Sequence, residues 1–371
     1  FLESQVPGAN FATVFTWPVW IRGLALLAIV AGSPWNVLSP WWTLYRGLCR
    51  LEGGRVAVLS EYPSRLGAWP ALAGFLVLVG VIETLTIVPR SPRLTTVVVS
   101  GYGLATLAGA VLFGPVWFER ADPLNGLYRL LGRVSGVSID RSSDGALTLS
   151  VRPPWHACTV PVTEPAAAAL AVVVAYTVAF DGFSSTQSYQ ALLSWLREAL
   201  GIGPPTSLLL YAGGLVAFVG IFVAIARAAD ALGVADSGSE RHPSVDRPTN
   251  RRGVTLAFAT TLLPVAAAYD VAHNATYVIR STARLVEIVA ASLGAQVGPL
   301  DLLGWLPPSA LWGSQVGVIA IGHVVALVAV ARVATRRYPS RDTGRGQLPV
   351  VALLVGYTLA SLWLVSAPVV G

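Results

Sequence analysis

Six ionisable side chains fall inside long apolar runs of the chain: Arg22, Glu83, Asp181, Asp270, His273 and His323. A charge at the centre of a bilayer costs roughly 3 kcal/mol or more, so each marks a candidate site. Asp270 and His273 are three residues apart and share a helix face, and Tyr277 continues that stripe. Pro264, a turn and a half earlier, predicts a kink that frees a backbone carbonyl. The next apolar run adds Gln315 and His323, with Trp312 on nearly the same face as His323. Two histidines and a carboxylate are a donor set suited to zinc or copper. His273, His323 and Asp270 are therefore the candidate metal ligands. Three readings of this set stand together: a metal or redox cofactor site, a proton or solute pathway, and structural packing in which Asp270 holds His273.

Depth along the helices works against one shared site. With helix centres near 266 and 321, Asp270 lies about 6 Å and His273 about 10 Å outward of the midplane, and His323 about 3 Å inward. The same offset counts against a bis-histidine haem. Asp181 and Glu83 end their apolar runs. They are either wet at the interface or, turned inward, join Asp270 in an acidic funnel that attracts cations. Arg22 sits in mid-run and calls for an ionic partner. His156-Ala-Cys158 lacks the spacing of a metal site. Asn274-Ala-Thr276 matches a glycosylation sequon only inside an apolar helix. No phosphate-binding glycine loop, nucleophile elbow or HExxH occurs.

The elements that carry these residues follow from composition. Of 371 residues, 54% are apolar and 12% charged, and mean hydropathy is +0.65. Soluble domains carry about 25% charged residues. Eight apolar stretches, at 11–32, 66–87, 94–118, 160–181, 205–229, 254–280, 309–333 and 347–370, predict an all-α polytopic membrane protein in one transmembrane domain. All 25 basic residues are arginine. Nineteen fall in the loops after odd-numbered spans and five in those after even-numbered spans. That asymmetry predicts a multi-pass protein of the cell membrane with both termini outside. The net charge of +6 reflects these loop anchors and not a nucleic-acid surface. The missing methionine implies a processed chain or part of a longer one. Two cysteines are too few for a disulfide framework.

Residues 39–51 and 122–134 read as amphipathic helices lying in the interface. They align at an offset of 83: Pro40 with Pro123, Tyr45 with Tyr128, Arg46 with Arg129, Arg50 with Arg133. Each lies between two spans, which predicts a parallel duplication of units 11–87 and 94–181. Spans 5–8, over 205–370, carry the candidate polar site. Alternation across Ser143-Asp-Gly145 predicts a small cytoplasmic β-hairpin over 136–152. Residues 233–252 read as a mobile polar loop, and 186–200 and 282–293 as short external helices.

The ordered segments Phe11–Trp20, Ser33-Pro-Trp35, Tyr62–Pro70, Phe180-Asp-Gly182, Leu263–His273 and Gly322–Ala326 resemble a family of bacterial and archaeal membrane proteins that carry the name fenitrothion hydrolase. The likeness runs through nearly the whole chain. It implies a membrane-bound, metal-assisted organophosphate hydrolase, with His273, Asp270 and His323 as the residues to test. A further histidine found in some relatives after the His323 position is replaced here by Leu327-Val-Ala-Val-Ala-Arg332. Three functions follow as expectations: a metal-binding hydrolase or oxidoreductase, a solute or ion permease, and a non-catalytic membrane subunit of a larger, respiratory-type complex. The expected partners are the lipid bilayer and either other subunits or further copies of the chain.

Overall fold

A computed structural model describes residues 6–59, 61–141, 147–234, 251–295 and 297–367. The chain is a polytopic α-helical membrane protein. Among the described residues, seven helices are long and apolar enough to cross a bilayer. They are α1 (Phe11–Ala31), α4 (Pro92–Phe113), α6 (Pro165–Ser184), α8 (Pro205–Gly233), α9 (Gly253–Ser292), α10 (Pro308–Arg337) and α11 (Thr343–Ser366). The shortest has 20 residues, which at about 1.5 Å each matches a hydrocarbon core about 30 Å thick.

The run expected as span 2 differs. It forms α3 (Trp69–Glu83), a shorter apolar helix whose second half, Leu76–Glu83, is wound as a π-helix. Fifteen residues reach only about 22 Å. At its end the Thr84 and Thr86 hydroxyls donate back to the Val79 and Ile82 carbonyls. A 3-10 turn at Val88–Arg90 then leads into α4, which Ser91 caps by accepting from Leu94 N. α1 carries a matching π-helical stretch, Phe15–Arg22, around Pro18.

The chain divides into two compact units. Unit 1 comprises Phe1–Gly132 and His273–Trp312, and unit 2 comprises Arg133–Ala272 and Gly313–Gly371. In unit 1, Arg22 and Glu83 end the two π-helical stretches and form a buried ion pair at 2.6 Å. Both side chains are 8% exposed, so neither is the wet interfacial group considered for Glu83. Asp122 is the second polar node of this unit. Its carboxylate accepts from Trp35 Nε1 and Tyr102 Oη, each at 2.7 Å, and from the backbone of Leu124 and Asn125. Those bonds tie the segment after α1, the middle of α4 and the start of α5 (Pro123–Leu131) to one buried group. Burial still pushes its carboxyl above the usual range, against all four bonds.

The two amphipathic segments form helices, α2 (Pro40–Leu51) and α5, each opening on proline after a side-chain cap from Ser39 or Asp122. Their surroundings differ. α5 is buried almost throughout, with its Tyr128 hydroxyl on the Ile21 carbonyl. α2 buries only Tyr45. Two strands, β1 (Val137–Arg141) and β2 (Leu147–Val151), pair antiparallel with Val137 opposite Val151. The expected Asp-Gly turn between them, and residues 235–250 of the polar loop, lie outside the described residues. Of the two expected external helices, one forms as α7 (Gln187–Leu200), capped by Thr186. The other is no separate element: no glycine or proline separates Pro264 from Ser292, so α9 runs on until Gly294 adopts a φ of 80°.

A buried ion pair is costly to break from one side. Arg22→Met, which strands the Glu83 charge, is expected to cost about 3–5 kcal/mol. Adding Glu83→Gln should return most of that stability, read as unfolding midpoints in detergent. Equal losses in the single and double variants would contradict the pairing.

Candidate functional site

In unit 2, α6 is buried along nearly its whole length. Its alanines and valines admit close neighbours, and Tyr211 packs edge to face on Phe180 and tilted on Tyr176 around its second half. Near the end of α6, Asp181 is followed by Gly182, and the glycine is required. A Cβ at 182 would land on the Tyr269 hydroxyl of α9. That contact brings Tyr269, fully buried, against the Asp181 segment. Asp270 follows it in the chain and is 1% exposed. Both carboxylates lie within electrostatic range of the Tyr269 hydroxyl. Tyr357 of α11 completes the group. Its hydroxyl donates to the Ala175 carbonyl at 2.7 Å and lies within electrostatic range of Tyr269 and Asp270. Three helices thus supply two carboxylates and two phenols to one neighbourhood.

The helix carrying Tyr269 and Asp270 is broken just before them. Arg251–Phe258 is α-helical, Ala259–Leu262 is a 3-10 turn, and the α-helix resumes at Leu263. Pro264 has no N–H to give the Thr260 carbonyl, so the regular ladder fails there. Thr260 and Thr261 are fully buried in the break and satisfy their hydroxyls on the Cys158 and Phe258 carbonyls. Gly322 of α10 lets that helix approach the Pro264 carbonyl and Ala268.

The other expected residues are placed elsewhere. His323 Nδ1 lies 2.7 Å from Thr358 Oγ1, a contact with α11. Gln315 donates its side-chain N–H to the Ala272 carbonyl. His273 is half-buried and Tyr277 half exposed, and both belong to unit 1, where α9 passes out of unit 2. Among the described residues, no three His, Cys, Asp or Glu side chains gather as a metal-holding group. The expected His273–His323–Asp270 ligand set is therefore not assembled.

Tyr269, Tyr357 and Gly182 were missed by sequence reasoning. A tyrosine directly before an intramembrane Asp, and a glycine directly after another, were the available signals. The assembled donors are oxygens, which suit protons and hard cations better than zinc or copper.

Cys158 shows how closed this unit is. Burial pushes its thiol up to about 12, although Arg133 and Arg152 oppose the shift. A thiol held neutral in this way is a poor nucleophile. Cys49 is partly exposed. Maleimide at pH 8 is expected to label Cys49 and spare Cys158 in the folded protein, with both labelled after denaturation, as read by mass spectrometry. Similar labelling of both cysteines in the folded state would contradict this burial.

Comparison of the chain with protein-family models, with curated proteins and with solved structures finds no match.

Proposed function

We propose that the protein is a permease for a proton or a small hard cation, with Asp181 and Asp270 as the binding carboxylates. The observation that carries this reading is the close contact of Tyr269 with Gly182, which sets the Asp181 segment against the Tyr269–Asp270 pair beside the break in α9. Two nearby carboxylates cannot both hold their charge cheaply in a low-dielectric interior, so a proton or cation between them is favoured. Phenol hydroxyls can donate to a carboxylate or accept from a bound ion. Interrupted helices supply turn carbonyls at the binding depth of many transporters, and the 3-10 turn at Ala259–Leu262 offers such a break. On this reading His323–Thr358 and Gln315–Ala272 hold α10 against its neighbours and take no part in binding.

The resemblance to the fenitrothion hydrolase family supports a different activity, metal-assisted hydrolysis through His273, His323 and Asp270. It ranks behind the permease because those three side chains do not gather. We further propose that units 11–87 and 94–181 arose by duplication, supported by the shared cap-proline openings of α2 and α5. Placement of both termini outside then requires α3 to cross as a short eighth span.

Proteoliposomes carrying a pH-sensitive dye test the proposed activity. An imposed potential is expected to drive proton or sodium flux through the wild-type protein. Asp270→Asn should lower it at least tenfold, and Tyr269→Phe by a smaller factor. Flux that is the same in wild type and Asp270→Asn, or no greater than in empty vesicles, would sink this reading.

A further inference from the structure

A second polar feature lies in unit 1, at the end of α2. Arg46, Cys49, Arg50, Gly53 and Gly54 line an open pocket of about 450 Å³. At about 100° per residue, Trp41, Tyr45 and Cys49 fall on one face of α2. That face is anchored. The Trp41 ring lies flat on Gly103, where any side chain would collide, and Tyr45 packs on Phe118 and Ala110. The Tyr45 hydroxyl donates to the Val56 carbonyl at 2.6 Å. With this face fixed, the two flanks are fixed as well. Leu44, Leu48 and Leu51 lie along one flank, 55%, 36% and 87% exposed. Arg46 and Arg50 lie about 100–160° around the helix from those leucines, on the other flank. Both arginines are exposed, and no hydrogen bond or ion pair engages either among the described residues.

This is the arrangement of a helix lying flat in a membrane surface, with leucines in the acyl layer and guanidiniums at the level of the headgroups. We propose that the pocket binds the phosphate of an anionic phospholipid, held between the Arg46 and Arg50 guanidiniums. Arginine presents a planar fork of donors that matches phosphate oxygens. Gly53, with a φ of 72°, turns the chain sharply, and the absence of side chains at 53 and 54 keeps the pocket open. Their amides do not reach the ligand, because they donate to the Arg50 and Cys49 carbonyls. Those bonds cap the negative end of the helix, which would otherwise repel an anion. Glu52 lies between Arg50 and Gly53 in sequence but does not line the pocket.

The matching place on α5 shows what a filled version without lipid looks like. Arg129 and Arg133, aligned with Arg46 and Arg50, donate to the Glu119 and Val160 carbonyls. The leucines of α5 are buried by protein. The lipid site is thus confined to α2.

Titration of the detergent-solubilised protein with phosphatidylglycerol, followed by native mass spectrometry, reads the first bound lipid directly. Wild type is expected to prefer phosphatidylglycerol over phosphatidylcholine. Arg46→Gln with Arg50→Gln should weaken that first binding by roughly five-fold per arginine, and Arg46→Lys with Arg50→Lys by much less. Arg129→Gln should leave it unchanged. Equal binding of the two lipids by wild type, or unchanged binding in the double glutamine variant, would overturn the proposal. Displacement of the lipid by millimolar inorganic phosphate would also overturn it, in favour of a site for the free ion.

Discussion

In a bilayer there is no water to take up a stray charge or an unmet backbone group, so the protein must answer each one itself. That constraint organises this chain. Arg22 is answered by Glu83, and both sit at the ends of π-helical stretches. A π-helical winding rotates side chains relative to an α-helix, and here it accompanies the meeting of two charges from different helices. Asp122 is answered by an indole, a phenol and two backbone amides. His323 is answered by a threonine hydroxyl, and the break before Pro264 holds two buried threonines whose hydroxyls donate to the Cys158 and Phe258 carbonyls.

The same constraint gives the Asp181–Asp270 neighbourhood its meaning. Ion pairs and caps elsewhere in the chain join unlike groups, an arginine with a carboxylate or a donor with an acceptor. Around Tyr269 the Asp181 segment meets the Tyr269–Asp270 pair, and the glycine at 182 lets the phenol approach. A pair of like charges in a low-dielectric interior is stabilised by a proton or a cation. Helix geometry, close packing at glycine and the interrupted backbone all converge on that one neighbourhood. On the proposed reading the site is built from oxygens, the donors that suit a proton or a hard cation.

Much of the architecture was legible in the sequence, and the parts that were not have physical causes. Apolar blocks of twenty or more residues mark the seven helices that, among the described residues, are long and apolar enough to span, because length and hydrophobicity decide that property. The run at 66–87 looked the same by composition, yet it forms only the shorter helix Trp69–Glu83, with Thr84 and Thr86 bonded back to it. Ser39-Pro40 and Asp122-Pro123 announced two helix starts through local capping chemistry. Their opposite burial could not be read, because it depends on which helices pack above them. At the candidate site, the isolated ionisable groups were visible as anomalies within apolar runs. Their pairing was not. Arg22 finds Glu83 sixty-one positions away, and Asp181 meets the Tyr269–Asp270 pair only through a tertiary contact at a glycine. The histidines attracted attention by residue type, although Thr358 was the partner that His323 had been given.

The most direct test of the account is the pH-dependent infrared difference spectrum of the protein in lipid, compared between wild type, Asp181→Asn and Asp270→Asn. The account predicts a carboxyl C=O band that appears on protonation, disappears in Asp270→Asn and shifts in Asp181→Asn, because the two carboxylates share one proton or cation. A carboxyl region that is identical in all three proteins would contradict it.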